Sequence, residues 1–324
     1  MNLHDNQSLF AAAVQFASRN KEDGGLGIKP IFIEKDYWIC RSLKFLSDSE
    51  VSGKAVFKGG TSLSKAYGLG GRFSEDIDIA ITKDESRTEN QTKNLIHSIS
   101  KTMSQGLVEL PKPQTRKFSK YRKVFYSYPS IADGSVGPTS ITPGQILLEI
   151  VSFANPYPYH KKQIKSFVTE YLEQTGRLDI IEEYGLEGFE INVLDPERTA
   201  TEKIVSLLRY SLADDYISEL RAKIRHFYDL HFLWHDDTIR VFLQSDKFRT
   251  EFKTLIESDQ ARFNEPLGWQ SKSFSESPLL TSFDGIWDQL KNTYIRELPD
   301  LAYQNIPSEQ EIKQSFIELS SQLF

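Results

Sequence analysis

Cysteine occurs once in the 324 residues, as Cys40, so an intrachain disulfide is impossible and disulfide-framed secreted scaffolds are excluded. Long apolar runs are also missing: nothing approaches about 18 consecutive apolar residues, and MNLHDNQSLF lacks a basic stretch followed by an apolar one. The expectation is a cytoplasmic protein with no membrane span. Positive charge is in deficit, with a formal net charge of −6, so any contact with nucleic acid has to come from a local patch. Common nucleotide and metal signatures are absent too. There is no Gly-x-x-x-x-Gly-Lys-Ser/Thr loop, and Gly68-Leu69-Gly70-Gly71 lacks the spacing of a dinucleotide fingerprint. His231 and His235 have zinc-helix spacing, but no Glu follows His231, which leaves a zinc site with His226 the weaker reading. A kinase catalytic loop is not found. No internal repeat or low-complexity tract appears. What remains is an ordinary globular composition, 39% apolar and 26% charged, in a chain long enough for two domains.

Apolar spacing predicts helices at 7–19 and 32–47, separated by the Gly/Pro-rich KEDGGLGIKP. A short strand at 55–58, a helix from about Thr61, a glycine-rich loop at 68–71 and a strand at 76–81 follow. Residues 88–106 read as helix, 114–127 as two strands or a hairpin, 145–153 as a buried strand carrying one acid, Glu149, and 189–194 as a strand. PYPYH at 156–160 reads as packing or loop. Asp195-Pro196 then opens a helical half, with helices at 196–213, 218–235, 238–257, 280–293 and 308–323. The expected division is 1–195 and 196–324.

The chemistry concentrates in FKGGTSLSKAYGLGGRFSEDIDIAI, residues 57–81. Gly59-Gly60-Thr61-Ser62 follows a strand and opens a helix, placing backbone N–H groups and two hydroxyls where a phosphate could be held. The plainer reading is a tight turn with Thr61 as N-cap. Asp76 and Asp78, at i and i+2 of a strand, share one face while Ile77 and Ile79 enter the core. Like charges there repel unless a cation intervenes. Magnesium, with its preference for one or two carboxylates plus phosphates, fits the pair, and Glu149 is a third candidate ligand. A salt bridge to a cation such as Arg72 is the alternative.

This segment resembles the opening motif of the AbiEii/AbiGii nucleotidyltransferase toxins, relatives of DNA polymerase β, through Gly59, Gly60, Thr61, Leu63, Lys65, Arg72, Ser74, Asp76 and Asp78. IEKDYWICRSL is similar to the segment preceding it in that family. DPERTATEKIVSLLR resembles the second block, with Thr199, Glu202, Lys203 and Arg209, and IRHFYDLHFL the last, with Arg225, Asp229 and Leu230. The resemblance spans about 31–235. Where some members carry Arg-x-Lys-Asp, this chain has Lys223-Ile224-Arg225-His226, a subfamily difference.

The resemblance implies an α+β fold: a polymerase β-like domain of mixed sheet and flanking helices with two N-terminal helices, then a helical bundle completing the active site. It implies Mg²⁺-dependent transfer of NMP from NTP to an acceptor hydroxyl by the toxin of a type IV toxin–antitoxin, abortive-infection phage-defence system. An antitoxin partner and, as in some relatives, tRNA 3′ ends or other RNA as acceptor come with it. Asp76, Asp78 and Glu149 would hold metal, with Glu149 alternatively a base. Gly59, Gly60, Thr61, Ser62, Lys65, Arg72 and Ser74 would bind nucleotide. Lys203 would meet the triphosphate, and Asp229 would hold Lys203 or the nucleotide. A surface lysine and an i,i+4 pair of Asp229 with Arg225 are the plainer readings. The competing function is an inactive NTP- or RNA-binding module. KPQTRKFSKYRK, with Arg116, Lys117, Lys120, Arg122, Lys123 and interleaved Phe118 and Tyr121, is a candidate RNA contact or else a solvated hairpin.

Overall fold

Alternation in DIDIAI is realised as a strand: Ile77 and Ile79 are buried on one face, while Asp76 and Asp78 remain half-buried on the other. Burying each isoleucine contributes about 1.5–3 kcal/mol, which fixes the register and with it the direction of both acids. The computed structural model describes residues 1–131 and 141–323. The chain forms two units, Met1–Gly68 with Phe73–Leu194, and Leu69–Arg72 with Asp195–Phe324.

The first unit begins with α1 (Gln7–Ala17), α2 (Pro30–Ser47), β1 (Ala55–Lys58), α3 (Gly59–Tyr67), β2 (Asp76–Ile81) and α4 (Glu89–Met103). It continues through β3 (Val108–Leu110), β4 (Arg116–Lys117), β5 (Tyr121–Ser127), β6 (Gln145–Val151) and β7 (Tyr159–Ile164) to α5 (Phe167–Gln174), α6 (Leu178–Tyr184) and β8 (Phe189–Leu194). The sheet runs β3-β5-β6-β2-β1-β8-β7, with β4 paired to β5. It is mixed, since β2/β6 and β1/β8 are parallel and the other pairs antiparallel. Pro30 at the first turn starts α2, and every residue from Ile31 to Cys40 is buried, so this helix is the unit's central packing element. Thr88 and Gln91 form a capping box that starts α4.

Several elements differ from the sequence expectation. β6 is not buried on both faces: Ile146, Leu148 and Ile150 are buried, and Leu147, Glu149 and Val151 line a half-buried face. Tyr159 begins β7 rather than ending a loop, because YHKKQI, too polar to read as a core strand, is stabilised by its ladder with β8 at the sheet edge. The strand β3 and the helices α5 and α6 were not expected.

The second unit contains α7 (Pro196–Tyr210), α8 (Tyr216–Ala222), α9 (Ile224–His235), α10 (Asp237–Leu243), α11 (Asp246–Arg262), α12 (Pro278–Thr281), α13 (Phe283–Leu301) and α14 (Glu309–Ser320). Two predicted helices are each divided: 218–235 breaks at Lys223, and 238–257 breaks where Ser245 caps α11. Phe227, Phe283, Trp287 and Phe316 form its aromatic core. Leu69–Arg72 is built into this unit: Tyr303 N–H donates to Gly71 O at 2.9 Å, Arg72 bridges Ala302, and the Tyr228 hydroxyl donates to Gly70 O. A Cβ at Gly71 would overlap the Gln304 side chain, so only glycine fits that approach.

Candidate active site

In the first unit, α3 starts at Gly59 itself, whose φ of +81° is a conformation that favours glycine. A Cβ at this position would overlap Asp78 Oδ2 and lie 3.0 Å from its Cγ, so the carboxylate occupies the space that the missing side chain leaves. The first amides of α3 have no acceptor within their own helix. A carboxylate therefore lies directly against an anion-favouring helix start, and a phosphate held there would need a cation to offset the repulsion between the two anions.

The sheet extends this arrangement sideways. Lys58 lies opposite Asp78, Asp78 beside Glu149, and Glu149 opposite Lys123, a row across β1, β2, β6 and β5 in which two adjacent carboxylates are flanked by a lysine on each side. Glu149 is held at both oxygens: Lys123 Nζ is 2.6 Å from Oε1, and the Tyr121 hydroxyl donates to Oε2 at 3.0 Å. Burial, with the Glu149 charge adding to it, pushes the Tyr121 phenol well above its ordinary pKa and keeps it a donor. Among the described residues, no three His, Cys, Asp or Glu side chains gather as a metal-ligand set. The hard carboxylates Asp76 and Asp78 suit magnesium, and Glu149, in register beside Asp78, carries Lys123 and Tyr121 on its two oxygens.

Other expected nucleotide ligands have different surroundings. Thr61 is not the N-cap: its hydroxyl donates to Asp76 O at 2.6 Å and ties α3 to β2. The buried Ser62 hydroxyl donates to Gly59 O at 2.8 Å, so toward a phosphate both residues offer amides rather than hydroxyls. Ser74 lies just before β2, and its carbonyl accepts from Thr61 at 3.4 Å. Lys65 is corrected from a triphosphate ligand to a buried ion-pair member, with Nζ 2.9 Å from Asp36 Oδ1 and over the Phe167 ring. Burial alone would lower its pKa, but the Asp36 carboxylate more than offsets this and holds the ammonium charged.

The basic run is a hairpin whose strands divide it. Lys123 and Tyr121 face Glu149, whereas Arg122 points to the other side and donates to Ser100 Oγ at 2.9 Å. Arg116, Lys117, Phe118 and Lys120 are exposed, with Lys117 paired to Glu109 at 2.5 Å.

Sequence reading missed a second set, Glu34, Lys35 and Asp36, although three successive charges inside the apolar IFIEKDYWIC were a visible signal. All three are buried. Successive residues on a helix point in different directions, so each reaches a different element. Glu34 accepts from Ile131 N–H at 2.7 Å and Ser130 Oγ at 3.0 Å. Lys35 donates to Glu75 at 2.6 Å, and Asp36 accepts from Phe167 N–H at 2.7 Å besides holding Lys65. Burial pulls the Lys35 pKa down, opposed by Glu75, Asp76 and Glu34. Cys40 is a buried free thiol, its pKa raised by burial and then by Asp36.

In the second unit, Asp229 accepts two 2.7 Å bonds from Arg72 and lies 2.7 Å from Lys203 Nζ. The three are 5%, 4% and 7% exposed for Arg72, Asp229 and Lys203, so the cluster is buried and carries one more positive than negative group. Burial opposes ionisation of Asp229, but Arg72 and Lys203 outweigh it and hold the carboxyl well below its usual range. The expected hold of Asp229 on Lys203 is present, and its partners are these two cations from other segments rather than Arg225 one helical turn away. Burial and then Lys203 keep His226 neutral. His231 Nδ1 pairs with Ser315 Oγ and His235 Nδ1 with His231 O, each at 2.8 Å, which gives both imidazoles structural partners.

Residues 41–314 match the sequence profile of a family described as "Nucleotidyl transferase AbiEii toxin, Type IV TA system". Among solved structures, JHP933 from Helicobacter pylori aligns with a TM-score of 0.46 and 18% identity, covering 90% of this chain and 91% of that one. The nucleotidyltransferase toxin MenT4 from Mycobacterium tuberculosis aligns with a TM-score of 0.43 and 14% identity, covering 97% and 98%. No curated protein matches the chain.

Proposed function

From the premise that this chain belongs to the AbiEii nucleotidyl transferase toxin family of type IV toxin–antitoxin systems, we propose that it transfers NMP from an NTP to an acceptor hydroxyl with release of pyrophosphate, using Mg²⁺. The observation that carries this reading is the contact of the Asp78 carboxylate with the Gly59 turn, with Asp76 on the same strand face. Asp76 and Asp78 would hold the metal, and the amides that open α3 would take a phosphate oxygen. Bound Mg²⁺ would neutralise triphosphate charge and lower the pKa of the attacking hydroxyl. Lys123, held by Glu149 in the row beside Asp78, adds a cation on the same sheet face. Within the second unit, Lys203 and Arg72 share the one carboxylate of Asp229, which leaves this buried cluster with one positive charge in excess.

For the acceptor we propose RNA, with a tRNA 3′ end as the specific candidate. Its support is the hairpin carrying Arg116, Lys117 and Lys120 beside Phe118, which is 62% exposed and available to stack on an unpaired base. The toxin reading carries with it an antitoxin partner, a role in phage defence and action in the cytoplasm.

Incubation with each NTP labelled at the α or γ position, Mg²⁺ and total RNA, alongside Asp78→Ala, tests the proposal. Transfer of α label to RNA that disappears in Asp78→Ala is expected. Transfer from the γ position alone overturns it, and NTP binding with no transfer identifies an inactive binding module instead.

A further inference from the structure

Of the three buried charges on α2, two have evident structural duties. Glu34 satisfies a loop amide and Asp36 the first amide of α5, so both answer backbone groups that would otherwise be unpaired. Lys35 answers none. Its ammonium, on a side chain with no solvent exposure, is spent on the Glu75 carboxylate, 24% exposed and bonded in sequence to Asp76. A buried ion pair is rarely a source of stability, since an apolar pair of similar volume serves as well or better. The pair needs another reason, and its location supplies one.

Glu75, Asp76 and Asp78 place three carboxylates within four residues. Glu75 is reached from the α2 side, while Asp76 and Asp78 share one face of β2. We propose that Lys35 is a positioning residue which, through Glu75, anchors the start of the acid strand and sets the divalent-cation affinity of the Asp76/Asp78 pair. With Lys35 in place, the charge of Glu75 is cancelled and adds nothing to the field that an arriving cation meets at the pair. Without it, the cation meets an additional negative charge in surroundings that screen poorly; without Glu75 it meets an uncancelled positive one. A unit charge so placed changes divalent affinity by about tenfold or more. The inference rests on the proposed function's assignment of Asp76 and Asp78 as the cation site.

The two single substitutions therefore act in opposite directions, which loss of structure cannot imitate. Mn²⁺ alone, with neither NTP nor RNA, is titrated into the full-length chain and its free fraction read by electron paramagnetic resonance. Lys35→Met is expected to bind Mn²⁺ about tenfold tighter, Glu75→Gln about tenfold weaker, and the double substitution near the parent chain. Lys35→Arg keeps the charge and is expected to match the parent, so the Arg and Gln variants carry the test if Lys35→Met does not fold. Shifts of both single variants in the same direction, or no shift in Glu75→Gln, overturn the inference. Asp78→Ala separates the two levels: Mn²⁺ binding that survives it overturns the assignment of the site. Binding lost in Asp78→Ala with same-direction shifts in the others overturns only the role of Lys35.

Discussion

Replacing Gly59 by alanine tests the link between turn and acid pair, and Gly68 supplies its control. Both glycines belong to α3, Gly59 at its first residue with φ +81° and Gly68 at its C-cap with φ +66°. An L-residue in the left-handed region costs about 1–2 kcal/mol, and Gly68→Ala should lose that much and no more, since nothing lies within 4 Å of its added Cβ. Gly59→Ala bears the same backbone cost and also collides with the Asp78 carboxylate, which must leave its rotamer at about 0.5–1.5 kcal/mol more. The expected totals are about 1–2 kcal/mol for Gly68→Ala and about 1.5–3.5 kcal/mol for Gly59→Ala, read from urea unfolding. Metal binding should separate them further. With Asp78 displaced, Mn²⁺ affinity should fall at least about tenfold, or about 1.4 kcal/mol, in Gly59→Ala and stay unchanged in Gly68→Ala. Equal stability loss with equal Mn²⁺ affinity in the two variants would refute the reasoning, because the carboxylate would then not depend on the space at Gly59.

Asp229→Asn removes the anion between two buried cations and should destabilise the chain by about 3–5 kcal/mol in urea melts, whereas Lys203→Met, which leaves the bidentate Arg72 contact, should cost less. A milder effect for Asp229→Asn than for Lys203→Met would contradict the assigned hierarchy. Burial and then the neighbouring His235 lower the His231 pKa from 6.5 to about 4. The unfolded chain therefore takes up this proton first, so the contribution is full above about pH 6.5 and declines as pH falls toward 4. His231→Gln should flatten that part of the stability profile, and an unchanged slope would remove His231 as its source. Reversing Arg116, Lys117 and Lys120 together to glutamate should change stability by only about 0.5 kcal/mol, since all three are exposed, while RNA cross-linking falls at least about fivefold. Unchanged cross-linking would exclude the hairpin as the RNA contact.

The acid strand was readable because its signal is local: two residues apart in a strand means one face, and the isoleucines between them fix which face is core. The Asp195-Pro196 helix start was equally local, and the structure retains it as N-cap and first turn. Lys65 was misread because its partner Asp36 lies 29 positions upstream on another helix, and a cation near a glycine turn looks alike whether it faces a ligand or the core. The Thr61 hydroxyl followed the same pattern, being taken up by the carbonyl of Asp76. The edge strand β7 escaped because its pairing with β8, rather than its own side chains, makes it a strand. The triplet Glu34–Asp36 was visible as charge in an apolar run, but its three separate destinations depend on tertiary contacts that no periodicity encodes.

The segment Leu69–Arg72 has a consequence for how the chain is made. It is synthesised early, yet the Asp229 carboxylate that receives Arg72 lies 157 residues further on, and Gly71 receives its bond from Tyr303, near the end of the chain. Such distant closure comes late in folding, because the entropy of the intervening loop is lost before any contact repays it. During translation this short glycine-rich segment must wait without its partners while the sheet on either side of it is being completed. A fragment cut at 194/195 would keep Arg72 and discard the acid it was built to meet, so dissecting this protein at its obvious sequence boundary would orphan a guanidinium and leave the other fragment lacking the four residues inserted into its core.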